Sequence, residues 1–82
     1  MELTKLRQSI SRIDSELLRL LDERMELADW VAEYKWEHDL PVFDPVREAE
    51  ILEKIPEEYQ GIWKEMMDVS KRRQEEYLKK NS

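Results

Sequence analysis

Residues 3–38 contain neither glycine nor proline, and this uninterrupted stretch constrains the whole chain. Apolar residues recur within it at Leu6, Ile10, Ile13, Leu17, Leu20/Leu21, Leu27/Ala28 and Val31. Gaps of three and four residues place them on one side of a helix. Such a helix is about 50 Å long at 1.5 Å per residue. A compact domain of about 100 residues has a radius of gyration near 13 Å, so the rest of the chain is too short to cover the stripe. The expectation is an obligate homodimer, with the stripe packed against a second copy. Arg24 and Lys35 fall near the centre of the stripe and Arg7 on its flank. Cations on a face that becomes buried need an anionic partner.

Eighty-two residues suit one domain, here 1–82, near the size where a single core gives marginal stability. Charged residues make up 41% of the chain and apolar ones 40%, a balance that suits exposed helices with one buried face. The net charge of -6 argues against nucleic acid as a partner, because phosphate neutralisation supplies most of that affinity. No apolar run approaches the roughly 20 residues that span a bilayer. The first residues lack a signal-peptide pattern, so a cytoplasmic protein without a membrane partner is expected. With no cysteine, disulfides and thiolate chemistry are excluded.

The fold class expected is all-α, with three helices and no strand. The first begins near Thr4, a candidate N-cap, and stops around His38 and Asp39. Trp30, Tyr34 and Trp36 widen its apolar surface and read as packing residues. Leu40-Pro41 enforces extended backbone, because proline disfavours the α conformation in the residue before it. Val42 and Phe43 read as plugs that tie this loop to the core. Asp44-Pro45 is a helix start, with Asp as N-cap and Pro at the first helical position. The second helix is expected over residues 45–55, with Ala49, Ile51, Leu52 and Ile55 as its apolar face. Pro56 ends it or begins the next, and Gly61 offers flexible backbone close by. The third helix is expected over residues 58–80. Its stripe is Tyr59, Ile62, Trp63, Met66, Met67, Val69, Tyr77 and Leu78, with Ser70 near the centre and Gln74 towards the edge. Arg73 also points inward, without an assigned role.

Arg24 and Lys35 are about three turns apart on one side of the first helix, roughly 16 Å along the axis. Their side chains can grip the two ends of a small dianion. Arg7 lies about 25 Å from Arg24 and cannot share one small ligand with it in the same subunit. In an antiparallel dimer, Arg7 of one chain reaches the Arg24 region of the other, giving two equivalent composite sites. The second helix adds Asp44, Arg47 and Glu48, and the third adds Ser70 and Gln74, neighbours at i and i+4. Covalent chemistry is poorly provided for: His38 is the lone histidine, and no Ser–His–Asp pattern occurs. No cluster has metal-ligand spacing, and one glycine cannot make a phosphate loop. No cofactor or metal is expected. An enzyme built from this set works by electrostatics and positioning.

Nearly the whole chain resembles the all-helical class of chorismate mutases. The residues that carry the likeness start with Leu6-Arg7, Ile10, Ile13-Asp14, Leu17-Leu18, Leu20-Leu21 and Arg24. Leu27-Ala28, Val31-Ala32 and Lys35 follow, then Pro41-Val42, Asp44 and Arg47-Glu48, and last Ser70 with Gln74. The resemblance implies an intertwined homodimer with two active sites. It implies conversion of chorismate to prephenate by a Claisen rearrangement, a step towards phenylalanine and tyrosine. Carried over by position, Arg24 and the partner subunit's Arg7 would clamp the carboxylates, with Ser70 assisting one of them. Lys35 and Gln74 would donate to the ether oxygen, and Glu48 would accept from the ring hydroxyl. Asp44 would contribute through the backbone at the helix start, and Arg47 would orient this polar set. Two alternatives stand beside it: an isochorismate–pyruvate lyase on the same fold, and a non-catalytic dimerisation or ligand-sensing module.

Overall fold

The computed structural model describes residues 2–81. These form three helices: α1 (Leu3–Glu37), α2 (Pro45–Glu53) and α3 (Glu57–Asn81). Among the described residues there is no strand, as the periodicity predicts. The chain is elongated, 54 × 27 × 14 Å, with a radius of gyration of 16.1 Å. A compact chain of this length would have a radius near 12 Å.

α1 is a single helix of 35 residues. Its N-cap is Glu2, in extended conformation and without a side-chain cap bond. Thr4 therefore lies inside the first turn and does not cap. The Leu6 amide donates to the Glu2 carbonyl at 3.1 Å, so the helix starts two residues earlier than a Thr4 cap would allow. At the other end the chain reverses in a Schellman turn. The Leu40 amide donates to the Lys35 carbonyl at 2.8 Å and the Asp39 amide to the Trp36 carbonyl at 3.4 Å. Asp39 takes the left-handed conformation this turn requires, with φ 54. Aspartate tolerates that region better than most side chains do.

Asp44 caps α2 as expected, its Oδ1 accepting from the Arg47 amide at 3.0 Å, and Pro45 occupies the first turn. α2 stops two residues short of the expected end. The Lys54 and Ile55 amides turn back to the carbonyls of Ile51 and Leu52, both at 3.1 Å, in tighter i to i−3 bonds. Gln60 of α3 stitches this corner, its Nε2 donating to the Leu52 and Ile55 carbonyls at 3.2 and 3.1 Å. Pro56 precedes α3 and accepts from the Tyr59 amide at 2.8 Å. Gly61 is not a flexible joint: it sits inside α3, and no glycine has positive φ. A glycine costs about 1 kcal/mol in a helix interior, which a helix of 25 residues absorbs.

α3 packs on both α1 and α2. The apolar core consists of Met25, Ala28, Ala32 and Met67, joined by the buried polar side chains of Ser70 and Gln74. Gln74 is thus buried and not at the stripe edge. Ala28, Ala32 and Ser70 are small, which lets α1 and α3 approach closely. Arg73 of α3 forks onto Asp29 of α1, with Nε to Oδ1 at 2.8 Å and Nη2 to Oδ2 at 2.9 Å. This gives Arg73 its role as an interhelical clamp. The guanidinium's hydrogen bonds hold the Asp29 carboxyl below its ordinary pKa, against the opposing effect of burial.

Other expected packing residues are not covered by the chain itself. Trp30, Tyr34 and Trp36 are 65%, 57% and 53% exposed, and Tyr34 stacks on His38 with ring centroids 4.0 Å apart. Phe43 is also exposed and does not plug the core; Val42 beside it is half-buried. On α2, Ile51, Leu52 and Ile55 are half-buried and Ala49 is exposed. On α3, Tyr59, Ile62 and Val69 are exposed as well. With so small a core, one chain has no second layer to lay over these side chains.

Candidate active site

A cleft of about 310 Å³ lies where the C-terminal half of α1, the 39–44 loop, the start of α2 and the middle of α3 converge. Clefts that take small molecules begin near this size, about 300 Å³. Arg24, Leu27, Ala28, Val31 and Lys35 line it from α1. Val42 and Asp44 line it from the loop, Arg47, Glu48 and Ile51 from α2, and Met67, Ser70, Lys71 and Gln74 from α3. Of the eight site residues expected from the sequence, the fold brings seven to this cleft. Arg7 is exposed on the far half of α1 and does not line it.

Helical register places Arg24 and Lys35 on the cleft side of α1, and the Schellman turn completes the Lys35 environment. By reversing the chain it brings the Val42 carbonyl to 2.7 Å from Lys35 Nζ. Lys35 Nζ also donates to Gln74 Oε1 at 3.4 Å, across 39 positions of sequence. Gln74 Nε2 in turn donates to Ser70 Oγ at 3.2 Å. An ammonium has no acceptor, so the amide oxygen of Gln74 has to face Lys35. Lys35 spends two of its three N–H groups in this way, and Gln74 one of its two. The remaining donors of the two side chains can converge on one ligand oxygen.

Arg24 is half-buried and, among the described residues, has no ion-pair or hydrogen-bond partner. Arg47 is largely exposed and lies 3.7 Å from Glu50. Glu48 is engaged by a residue that sequence reasoning missed. Lys71 Nζ lies 3.1 Å from Glu48 Oε2 and 3.3 Å from Asp68 Oδ1, and both Lys71 and Glu48 are only 25% exposed. The hydrogen bond to Glu48 comes first among the causes that raise the Lys71 pKa. Phe43 lies beneath the same ammonium, 4.7 Å from ring centroid to Nζ. The spacing that marks Ser70 and Gln74 brackets Lys71, and that is the signal which points to it.

Four cations line the cleft, Arg24, Lys35, Arg47 and Lys71, against two lining carboxylates, Asp44 and Glu48, an excess of two positive charges among the lining side chains that Glu50 and Asp68, outside the lining, partly offset. That matches a dianion. Among the described residues no group of three or more His, Cys, Asp or Glu side chains could hold a metal ion. Nor is any helix there long and apolar enough to cross a membrane.

Comparison with known proteins gives the family and bears out the helical fold. The bifunctional chorismate mutase/prephenate dehydratase of Aquifex aeolicus is 54% identical over 54 residues, 66% of this chain and 15% of that protein. The chorismate mutase of Methanocaldococcus jannaschii is 41% identical over 54 residues, 66% of this chain and 54% of that protein. The T-protein of Haemophilus influenzae is 34% identical over 83 aligned positions, 96% of this chain and 22% of that protein. The chain thus spans little more than half of one of these relatives and under a quarter of the other two. A solved structure described as a conserved hypothetical protein from Pyrococcus furiosus superimposes with a TM-score of 0.83 at 36% identity, covering 88% of this chain and 93% of that one. The family match runs over residues 6–75, a span that includes every position expected from the sequence to form a site, from Arg7 to Gln74. The chain belongs to the chorismate mutase type II family.

Proposed function

We propose that this chain rearranges chorismate to prephenate, working as a homodimer with two sites that each draw on both copies. The observation that carries the reading is the Lys35–Gln74–Ser70 network in a cleft whose lining side chains carry two excess positive charges. Chorismate is a dianion with two carboxylates. Its rearrangement is unimolecular: the ether C–O bond breaks as a new C–C bond forms, and no proton leaves. Partial negative charge grows on the ether oxygen in the transition state. Donors held in advance at that oxygen stabilise the transition state more than the ground state. The spare N–H groups of Lys35 and Gln74 are such donors.

Arg24 takes one carboxylate, assisted by Ser70, and the partner subunit's Arg7 takes the other. Glu48 accepts from the ring hydroxyl, Asp44 presents the first turn of α2, and Arg47 orients that polar set. Clamping both carboxylates holds the enolpyruvyl arm over the ring, which removes orientational freedom before reaction. The second copy is supported by the exposed stripe. Ile10, Ile13 and Leu17 are 58%, 52% and 57% exposed on a chain with a small core of its own. Covering each such side chain gains roughly 1 kcal/mol or more.

The test follows loss of chorismate absorbance, with the product identified, for the parent and for Arg24→Ala. The parent is expected to form prephenate, and the variant to lose about 100-fold or more in kcat/KM. A folded parent that binds chorismate without converting it would overturn the reading. So would one that instead releases pyruvate from isochorismate.

A further inference from the structure

The second helix is held by few contacts. No residue of α2 is fully buried. At its C-terminal end Gln60 ties it to α3. Near its start the tie is Lys71, which reaches from α3 to Glu48 at 3.1 Å. Lys71 lines both the cleft and a second groove, which Phe43 and Asp68 line with it. Asp68, one turn before Lys71, fixes the ammonium from below at 3.3 Å. Phe43 lies against it from the loop that supplies the Val42 carbonyl to Lys35. One cation thus touches a cleft carboxylate and the loop that orients a cleft ammonium.

We propose that Lys71 is a positioning residue of this site: it holds Glu48 at the angle from which the carboxylate meets the substrate's ring hydroxyl. This rests on the chorismate mutase reading above. Lys71 itself need not touch substrate. A carboxylate on a lightly packed helix samples several rotamers, and each unproductive one lowers the fraction of chains ready to bind. A fixed cation three-quarters buried beside it removes that freedom. An exposed surface pair would not do so.

The experiment is a double-mutant cycle in kcat/KM for chorismate, with Lys71→Met and Glu48→Gln. Methionine keeps the apolar stem and removes the charge. Lys71→Met alone is expected to cost about 10-fold or more, and Lys71→Arg to recover most of it. In the Glu48→Gln background the same change is expected to cost less than about 2-fold, because the group it orients is gone. With chorismate lacking its ring hydroxyl, parent and Lys71→Met should differ little. Equal losses in both backgrounds would overturn the proposal, as would a variant as active as the parent.

Hydrogen–deuterium exchange across residues 45–53 supplies a readout independent of turnover. Lys71→Met and Glu48→Gln should speed exchange there alike, with Lys71→Arg close to the parent. Unchanged exchange overturns the proposal even in a chain that turns nothing over. Absence of turnover in the parent, with exchange behaving as expected, overturns only the mutase reading.

Discussion

Residues 3–23 and 24–37 belong to one helix and continue one apolar periodicity, yet only in the second part does the rest of the chain bury any residue. Every described residue before Arg24 is exposed, Leu6, Ile10, Ile13 and Leu17 among them. Beyond it Met25, Ala28 and Ala32 are buried against α3. The cations divide in the same way. Arg24 and Lys35 line the cleft, whereas Arg7 stands on the bare half, remote from any site its own chain builds. Under the proposed function a single periodicity serves two purposes: one half of α1 lines the cleft, and the other carries a stripe and a cation for a second copy.

The largest expected effect comes from spoiling the bare half. Leu17→Asp puts two like charges into the proposed interface, and sedimentation should then find monomers. Chorismate turnover should fall by about 100-fold or more, because Arg7 of the partner subunit leaves with the second copy. A fully active monomer would break the comparison.

At the cleft that the second half of α1 lines, Gln74→Glu on α3 sharpens it. An amide donates at any ordinary pH, whereas a glutamate has to be protonated to donate. The variant should approach parent activity towards about pH 5 and lose on the order of 10-fold or more by about pH 8. Equal relative activity at both values would remove Gln74 from the ether oxygen.

The smallest effect is expected at the clamp between α1 and α3. Asp29→Asn should lower stability by about 0.5–1 kcal/mol at neutral pH, since the pair is partly exposed. The folded chain holds the Asp29 carboxyl below its ordinary value, chiefly through its hydrogen bond from Arg73. Its contribution is thus full above the unfolded pKa, near 3.9, and is lost as pH falls through the lower folded value. Thermal unfolding of the parent should weaken more steeply in acid than that of the variant. Parallel pH profiles would remove Asp29 as the clamp.

The three helices were legible because their signals are local. Periodicity of 3.6 marks α1 and α3, and Pro41, Asp44-Pro45 and Pro56 punctuate the gaps. The cleft was legible where a polar residue interrupts an apolar stripe, as at Arg24, Lys35 and Ser70. Other features depend on what faces them across space. Lys71 sits in a strongly charged stretch of α3, and nothing on its own helix marks Glu48 as its partner. Arg73 pointed inward, but Asp29 as its counter-ion is fixed only by the depth at which α1 meets α3. Gly61 looked like a joint because composition cannot weigh one glycine against the cooperativity of a long helix. Thr4 looked like a cap because side-chain preference does not register the backbone bond that starts α1 at the residue before Leu3.

The most direct test of a composite site is complementation between Arg7→Ala and Arg24→Ala. Each variant alone should be nearly inactive, since both sites of its dimer lack one arginine. Unfolded together in equal amounts and refolded, half the dimers become mixed, and one site in each recovers both arginines. The mixture should regain about a quarter of the parent rate. No regain from a mixture shown to contain mixed dimers would contradict the account, and would place all the essential cations within a single chain.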